Sequence, residues 1–275
     1  MELHLSDLGP GVRAVVGADE MVTIAPSAAE SDQVSLLRPV APNRHILIMH
    51  DRAGTARYLP SLAERLLWLD GRVHAPELIA SARSEDLSET LVIRLHAEAM
   101  VASDALVPVD PESMARQMGN SLRSIHDLPV AGCPFESSIA HWRGVAGERV
   151  DAGLVRPQAS GPYAGLEAEH LLDVFDQLNA DSGGNDADTD LGFIHGSPTR
   201  EQIWLVPDGS LVFTSWQNCG IGDRHHDLAV AAADLVRTFG PALVPPFLDS
   251  YGIDRVRPER LDRHQLLVHL CGLPG

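Results

Sequence analysis

Residues 191–213 constrain the fold of this chain more than any other stretch. An apolar run at 191–194 enters a His195-Gly196 turn and leaves through a polar loop, 197–202, into a second apolar run at 203–206. The turn Pro207-Asp208-Gly209 then leads into a third run, Leu211-Val212-Phe213. Two short apolar runs joined by such a turn read as a strand hairpin. A polar loop held between strands is a usual place for functional groups, because the scaffold fixes it while its side chains stay reachable.

The rest of the chain changes period once. Apolar runs at 12–16, 21–24, 34–37 and 46–49, broken by Gly, Pro and Asn clusters, predict an antiparallel sheet, with further strands at 77–80 and 90–95. Between them Leu59, Leu62, Leu66 and Leu69 recur at helical spacing and predict one buried helix face. Asp110 as N-cap, Pro111 as first residue and the stripe Met114, Met118, Leu122, Ile125 predict a core-facing helix. Residues 137–152, 164–179, the segment from Asp227 and residues 257–270 read as further helices, with a linker at 156–162 and a polar acidic loop at 180–190. The expected fold class is therefore α+β.

A formal charge of −17 argues against nucleic-acid binding, which needs clustered cations, and against anionic membrane surfaces. Cys133, Cys219 and Cys271 are odd in number and far apart, so they read as reduced thiols of a cytoplasmic protein. Met1-Glu2-Leu3-His4 shows no signal pattern, and no apolar run reaches membrane-spanning length. The sequence contains no lysine: all 21 basic residues are arginine.

Around the His195-Gly196 turn the sequence resembles the aminoglycoside phosphotransferase family, small-molecule kinases of protein-kinase-like fold. That family writes H-G-D-x-x-x-x-N, a hairpin, then I-D-x-G-x-x-G-x-x-D-R-x-x-D-[IL]-A. The chain keeps His195 and Gly196, and it keeps Gly220-Ile221-Gly222-Asp223-Arg224-His225-His226-Asp227-Leu228-Ala229. It has Ser197 at the catalytic Asp, Gln202 at the Asn and Ser215 at the metal-binding Asp. Residues 62–69 are similar to the helix E-A-x-x-L-x-W-L, which puts Leu62 at the glutamate and Met49 at its lysine partner. His126 falls in a segment like R-L-H-x-L. Cys133-Pro134-Phe135-Glu136 is similar to C-P-F-D, which points to the 3′-type enzymes, and Phe247 to Ile253 resemble F-x-x-x-Y-G-I. The likeness runs over roughly residues 25–270 and implies a two-lobed fold, with a β-rich lobe over 1–98 and a mainly helical lobe over 99–275 that contains the hairpin region 191–216.

The resemblance implies ATP and magnesium chemistry, with a lysine–glutamate pair, a catalytic aspartate and two metal-holding groups. Here all five positions are uncharged: Met49, Leu62, Ser197, Gln202 and Ser215. Serine is no carboxylate base at neutral pH and a poor magnesium ligand. General acid–base catalysis alone contributes about 10²–10⁴ in rate, and electrostatic stabilisation usually contributes more. Residues 27–32, where the family covers its nucleotide, lack glycine and carry Glu30 and Asp32, so they read as a solvated turn. The hinge at 96–101 leaves adenine binding open, because backbone contacts leave no sequence mark.

The first expectation is thus a pseudokinase that binds a small molecule or a protein partner. It would need no cofactor and no metal, and would keep His195, Gly196 and Asp227 as a structural loop in which Asp227 braces the backbone. The alternative is a divergent ATP- and Mg-dependent phosphotransferase of aminoglycoside type. That reading rebuilds the site from Glu201 or Asp223 as base or metal ligand, with Arg200 or Arg52 on phosphate. His126 reads as a helix-end histidine satisfied locally. The spacing of Asp223, His225, His226 and Asp227 is not a recognised ligand set.

Overall fold

The computed structural model describes residues 22–26, 34–39, 46–51, 58–83, 89–94, 100–101, 110–158, 162–182, 190–205 and 210–273. The strand expected at 12–16, the turn at 27–32, Arg52, the hinge at 96–99 and the Pro207 turn lie outside the described residues, as does most of the acidic loop.

Five strands form one antiparallel sheet: β1 (Val22–Pro26), β2 (Val34–Pro39), β3 (Ile46–Asp51), β4 (Glu77–Arg83) and β5 (Glu89–Arg94), in the order β1-β2-β3-β5-β4. The register slips between Leu78 and Ala80, so Ile79 is the extra residue of a bulge on edge strand β4. Helix α1 (Tyr58–Leu69) lies against β4 and β5 and buries Leu62, Leu66 and Leu69, three of the four leucines expected on its inner face. Leu67, on the outer face, is 65% exposed. Gly71, with φ +68°, turns the chain out of the helix end in a conformation that costs glycine no Cβ clash.

Two smaller sheets carry the central stretch. β7 (Leu191–Ile194) pairs antiparallel with β10 (Gly220–Asp223), while β6 (Met100–Val101), β8 (Ile203–Leu205) and β9 (Leu211–Phe213) form a sheet in that order. The chain divides into two units. One comprises Met1–Val101 and Trp204–Gln217, the other Ala102–Ile203 and Asn218–Gly275. The expected boundary put the whole of 191–216 in the second lobe. Trp204–Gln217 instead groups with the first unit, because β8 pairs with β6, Leu205 opposite Met100 and Trp204 opposite Val101.

The second unit is helical: α2 (Pro111–His126), α3 (Ile139–Asp151), α4 (Ala168–Asp181), α5 (Arg224–Phe239), α6 (Val244–Tyr251) and α7 (Pro258–Leu270). α2 starts as its sequence dictates. The Asp110 carboxylate accepts the Ser113 N–H at 2.9 Å, Pro111 opens the helix, and the stripe from Met114 to Ile125 is buried. Trp142 and Val150 of α3, Phe175 of α4, and Leu267 and Leu270 of α7 form a shared core. Each fully buried side chain of this size contributes about 1.5–3 kcal/mol.

α2 also packs on α6, and Gly119 permits the approach: a Cβ there would run into the Phe247 carbonyl oxygen and lie 3.0 Å from the Tyr251 amide nitrogen. Glycine inside a helix costs roughly 1 kcal/mol relative to alanine, so helix propensity alone would favour alanine here. Gly119→Ala is expected to destabilise the protein by about 1–3 kcal/mol, because backbone has to move to admit the methyl group. Urea melts read this directly, and a variant more stable than the parent would show that the helices do not touch there.

Candidate functional site

In the first unit, Met49 sits on β3 between Leu36 of β2 and Leu91 of β5, and is 8% exposed. Leu62 is 4% exposed on the inner face of α1. Both positions the resemblance assigns to an ion pair are therefore buried and apolar. Ser215 follows β9 with φ +61°, the one positive value at a non-glycine among the described residues. Asn and Asp adopt that conformation several-fold more readily than other side chains. The backbone thus suits the aspartate the resemblance expects, while the side chain present carries no charge. Next to it Trp216 is fully buried, its indole N–H donating to the Phe213 carbonyl at 2.8 Å.

In the second unit, the loop after β7 is held by its backbone. Asp227, on the first turn of α5, accepts the His195 N–H at 2.7 Å and the Gly196 N–H at 2.8 Å. It also accepts His126 Nε2–H at 3.1 Å, and His126 Nδ1 meets the Tyr251 hydroxyl at 2.9 Å. His126 is thus fully buried and satisfied by residues distant in sequence, not locally as expected. The other end of the same peptide region is fixed as well, since the Gly196 carbonyl accepts His226 Nε2–H at 3.1 Å. Gly196 has φ +90°, and a Cβ there would collide with Asn218, so no other residue fits this turn.

Ser197 is 7% exposed; its amide points to His195 Nδ1 at 3.3 Å, and its hydroxyl meets no protein partner. Gln202 is half-buried, with its backbone N–H on the Thr199 carbonyl at 2.9 Å.

The residues from which a rebuilt site was to be drawn divide sharply. Arg200 gives its amide N–H at 2.9 Å and its Nε–H at 3.2 Å to one oxygen of fully buried Asp234, and its guanidinium lies 5.3 Å over the Phe239 ring. Asp223 is 2% exposed and caps α5, accepting both the His225 amide N–H at 2.9 Å and His225 Nδ1–H at 2.8 Å. His225 Nε2 in turn accepts the Arg257 amide N–H at 3.0 Å, which fixes that ring as the neutral Nδ1–H tautomer. Glu201 alone of the three stands exposed, on a 3-10 turn. Among the described residues no group of three or more His, Cys, Asp or Glu is arranged to hold a metal ion. No helix of the described residues is long and apolar enough to cross a membrane.

Burial pushes the Asp223 and Asp227 carboxyls up, but the His225 and His264 rings at Asp223 and the hydrogen bond from His126 at Asp227, with the charges around them, outweigh it, so both stay below the usual carboxylate range. For His226 burial dominates and brings the ring down to about 4 from an ordinary 6.5. The unfolded chain then binds the extra proton first, so the contribution of neutral His226 is complete above pH 6.5 and is lost as pH falls towards 4. That loss is on the order of 3 kcal/mol. Denaturant melts between pH 7.5 and 4 should show stability falling with pH. His226→Gln, with no proton to gain, should flatten the slope, and an unchanged slope would mean that His226 is not buried as a neutral ring.

The sequence did not reveal Asp234 as the anchor of Arg200, or His226 as the clamp on Gly196. One signal was available: Asp227 and Asp234 stand seven residues apart with only Leu, Val and Ala between them, so both carboxylates face the same way, towards the loop.

A model of the phosphotransferase enzyme family (APH) matches residues 24–263. The aminoglycoside 3'-phosphotransferase of Streptomyces fradiae is 27% identical over 212 residues, which cover 74% of this chain and 76% of the relative. The streptomycin 3''-kinase of Streptomyces griseus is 28% identical over 218 residues, covering 76% and 78%. Among solved structures, aminoglycoside-3'-phosphotransferase of type VIII superposes with a TM-score of 0.73 at 23% identity, over 94% of this chain and 97% of that one. APH(3'')-Id from Streptomyces rimosus gives a TM-score of 0.74 at 19% identity, over 94% and 96%. These likenesses establish the α+β, two-lobed, kinase-like fold.

Proposed function

We propose that this chain, which belongs to the phosphotransferase enzyme family of the aminoglycoside phosphotransferases, binds a small molecule or a protein partner without transferring phosphate. The observation that carries this reading is the employment of the substitutes. The five positions that would hold magnesium and triphosphate are uncharged, and Arg200 and Asp223, the natural replacements, are already engaged, Arg200 by the buried Asp234 carboxylate and Asp223 by hydrogen bonds from His225. A magnesium–nucleotide complex calls for oxygen ligands and a cation on its phosphates, and the residues present do not fit it. The loop backbone meanwhile keeps its brace, as in a scaffold retained for binding. The relatives named above are enzymes acting on aminoglycosides, so compounds of that class are the first ligands to try.

The second reading, a divergent ATP- and Mg-dependent phosphotransferase, is favoured by Glu201, which is exposed one residue from the altered Gln202. One experiment separates the two. Purified protein is heated with ATP and magnesium, with an aminoglycoside panel, and with both, while transfer of labelled phosphate is followed in parallel. A ligand at 100 times its Kd adds about 2.7 kcal/mol, an easily seen shift. A shift with an aminoglycoside alone and no labelled product supports the binding reading. Labelled product that disappears in Glu201→Gln would establish the enzyme instead.

A further inference from the structure

We propose that Asp234 is a positioning residue for the loop after β7: through Arg200 it fixes the outer half, which carries Glu201, separately from the Asp227 brace on the inner half. The inference is independent of which reading of the function is right, since both use this loop. The inner half ends at Gly196. The His195 and Gly196 amides lie on Asp227, the Gly196 carbonyl lies on His226, and a Cβ at Gly196 would strike Asn218. The outer half is the 3-10 turn Arg200–Gln202, and its fixed point is Arg200. One oxygen of Asp234 holds that residue twice, accepting its amide N–H at 2.9 Å and its Nε–H at 3.2 Å. The two sets of contacts share the helix α5 but no side chain.

Between the anchors the backbone bonds are local. The Thr199 amide donates to the Ser197 carbonyl and the Gln202 amide to the Thr199 carbonyl, both at 2.9 Å, and the Ile203 amide donates to the Arg200 carbonyl. Each closes a turn within the segment and travels with it. Displacing Arg200 therefore carries Glu201 along without drawing on Asp227. Ile203 is also the last residue of the second unit before the chain enters the first at Trp204. The Asp234 anchor thus fixes the chain shortly before it leaves the unit.

The charge arrangement separates seating the loop from keeping α5 buried. Asp234 is fully buried beside Ala231 and Leu235, where a carboxylate without a cation would be costly. It has two cations: Arg200 on Oδ2, and Arg237 on Oδ1 at 2.8 Å. Arg237 belongs to α5 itself, so the carboxylate stays paired whether or not the loop is seated. Arg200 is the partner that comes from the loop, and its guanidinium rests over the Phe239 ring, a cation–π contact that orients it on the helix.

Amide exchange of the full chain, resolved along residues 195–203, tests the assignment. Arg200→Met keeps the length of the side chain and its apolar stem over Phe239 but removes the charge and the donors. It is expected to speed exchange at positions 200, 202 and 203 by about tenfold, as the loss of one hydrogen bond to a charged group implies, while His195 and Gly196 keep the parent rate. Arg200→Lys, which returns one donor to Asp234, is expected to restore part of the protection. Arg237→Met takes the other guanidinium from the same carboxylate and is expected to leave the loop protected. Equal acceleration at Gly196 and Gln202 would make the loop a single unit and overturn the proposal. An unchanged rate at Gln202 would overturn it as well, and so would Arg237→Met acting as strongly as Arg200→Met. Lysine protecting no better than methionine would show that packing, and not the ion pair, positions the turn.

Discussion

Asp227→Ala is expected to destabilise the second unit by about 3–5 kcal/mol, the range typical of removing one partner from a buried charged network. The carboxylate is fully buried and receives three donors: the amides of His195 and Gly196 and the His126 ring. Alanine strands all three at once, and a buried donor left unpaired costs about 1–3 kcal/mol. Asp227→Asn keeps one acceptor oxygen, so its cost should be smaller, though its amide would confront a donor with a donor. Urea melts measure the total, and amide exchange at His195 and Gly196 localises it.

The same variant carries a pH signature. The folded state holds the Asp227 carboxyl below its ordinary 3.8, burial being outweighed by the bond from His126 and the neighbouring histidines. A depressed carboxylate contributes stability that is complete above the unfolded value and is lost as pH falls through the folded one. The gap between parent and Asp227→Ala should therefore be widest above about pH 4 and narrow in stronger acid. A variant within 1 kcal/mol of the parent at neutral pH, as a rough threshold set by the value of an ordinary hydrogen bond, would mean that the loop is held by something other than this brace.

How far this arrangement was legible follows from the range of the interactions involved. Periodicity fixed the inner face of α1 and the buried stripe of α2, because each is a local pattern read against one neighbour. Local motifs also carried the family likeness and the brace residue Asp227. The boundary at residue 98 misplaced residues 204–217, because the pairing of β8 with β6 spans about a hundred residues and leaves no mark in either strand. The local reading of His126 failed for the same reason: Asp227 is 101 positions away and Tyr251 is 125 away. Arg200 and Asp223 were legible as charges near altered positions. Their commitment was not, since it depends on which face of α5 and α7 turns inwards. A sequence shows what charge is present; only the packed structure shows whether that charge already has a partner.

Met49→Lys is expected to cost about 3–5 kcal/mol, because it places an ammonium at a buried position on the central strand between Leu36 and Leu91, where the residue aligned with its partner is Leu62. Burial depresses a lysine, so the variant's folded value falls below the unfolded 10.4 or so. The unfolded chain then binds more protons between the two values, and stability must rise with pH across that window. Met49→Lys should accordingly be weakest near neutrality and recover towards the parent as pH approaches 10. Leu62→Glu alone should carry a comparable penalty with the opposite dependence, recovering as pH falls and the buried carboxyl takes up its proton.

The double variant Met49→Lys, Leu62→Glu decides whether the two positions correspond to an ion pair at all. If the introduced ammonium and carboxylate meet, the two single penalties at neutral pH will sum to more than the double variant shows, by about 0.5–3 kcal/mol of coupling. Strict additivity would place them too far apart to pair and would remove the basis for reading Met49 and Leu62 as replacements of a lysine and its glutamate. Coupling would show that the first unit still has the geometry for the pair, so that what separates this chain from a phosphotransferase there is charge and not shape. A net gain for the apolar parent is also the physical reason such a loss would persist. Two desolvated charges are dispensed with, and methionine and leucine fill the space at no electrostatic cost.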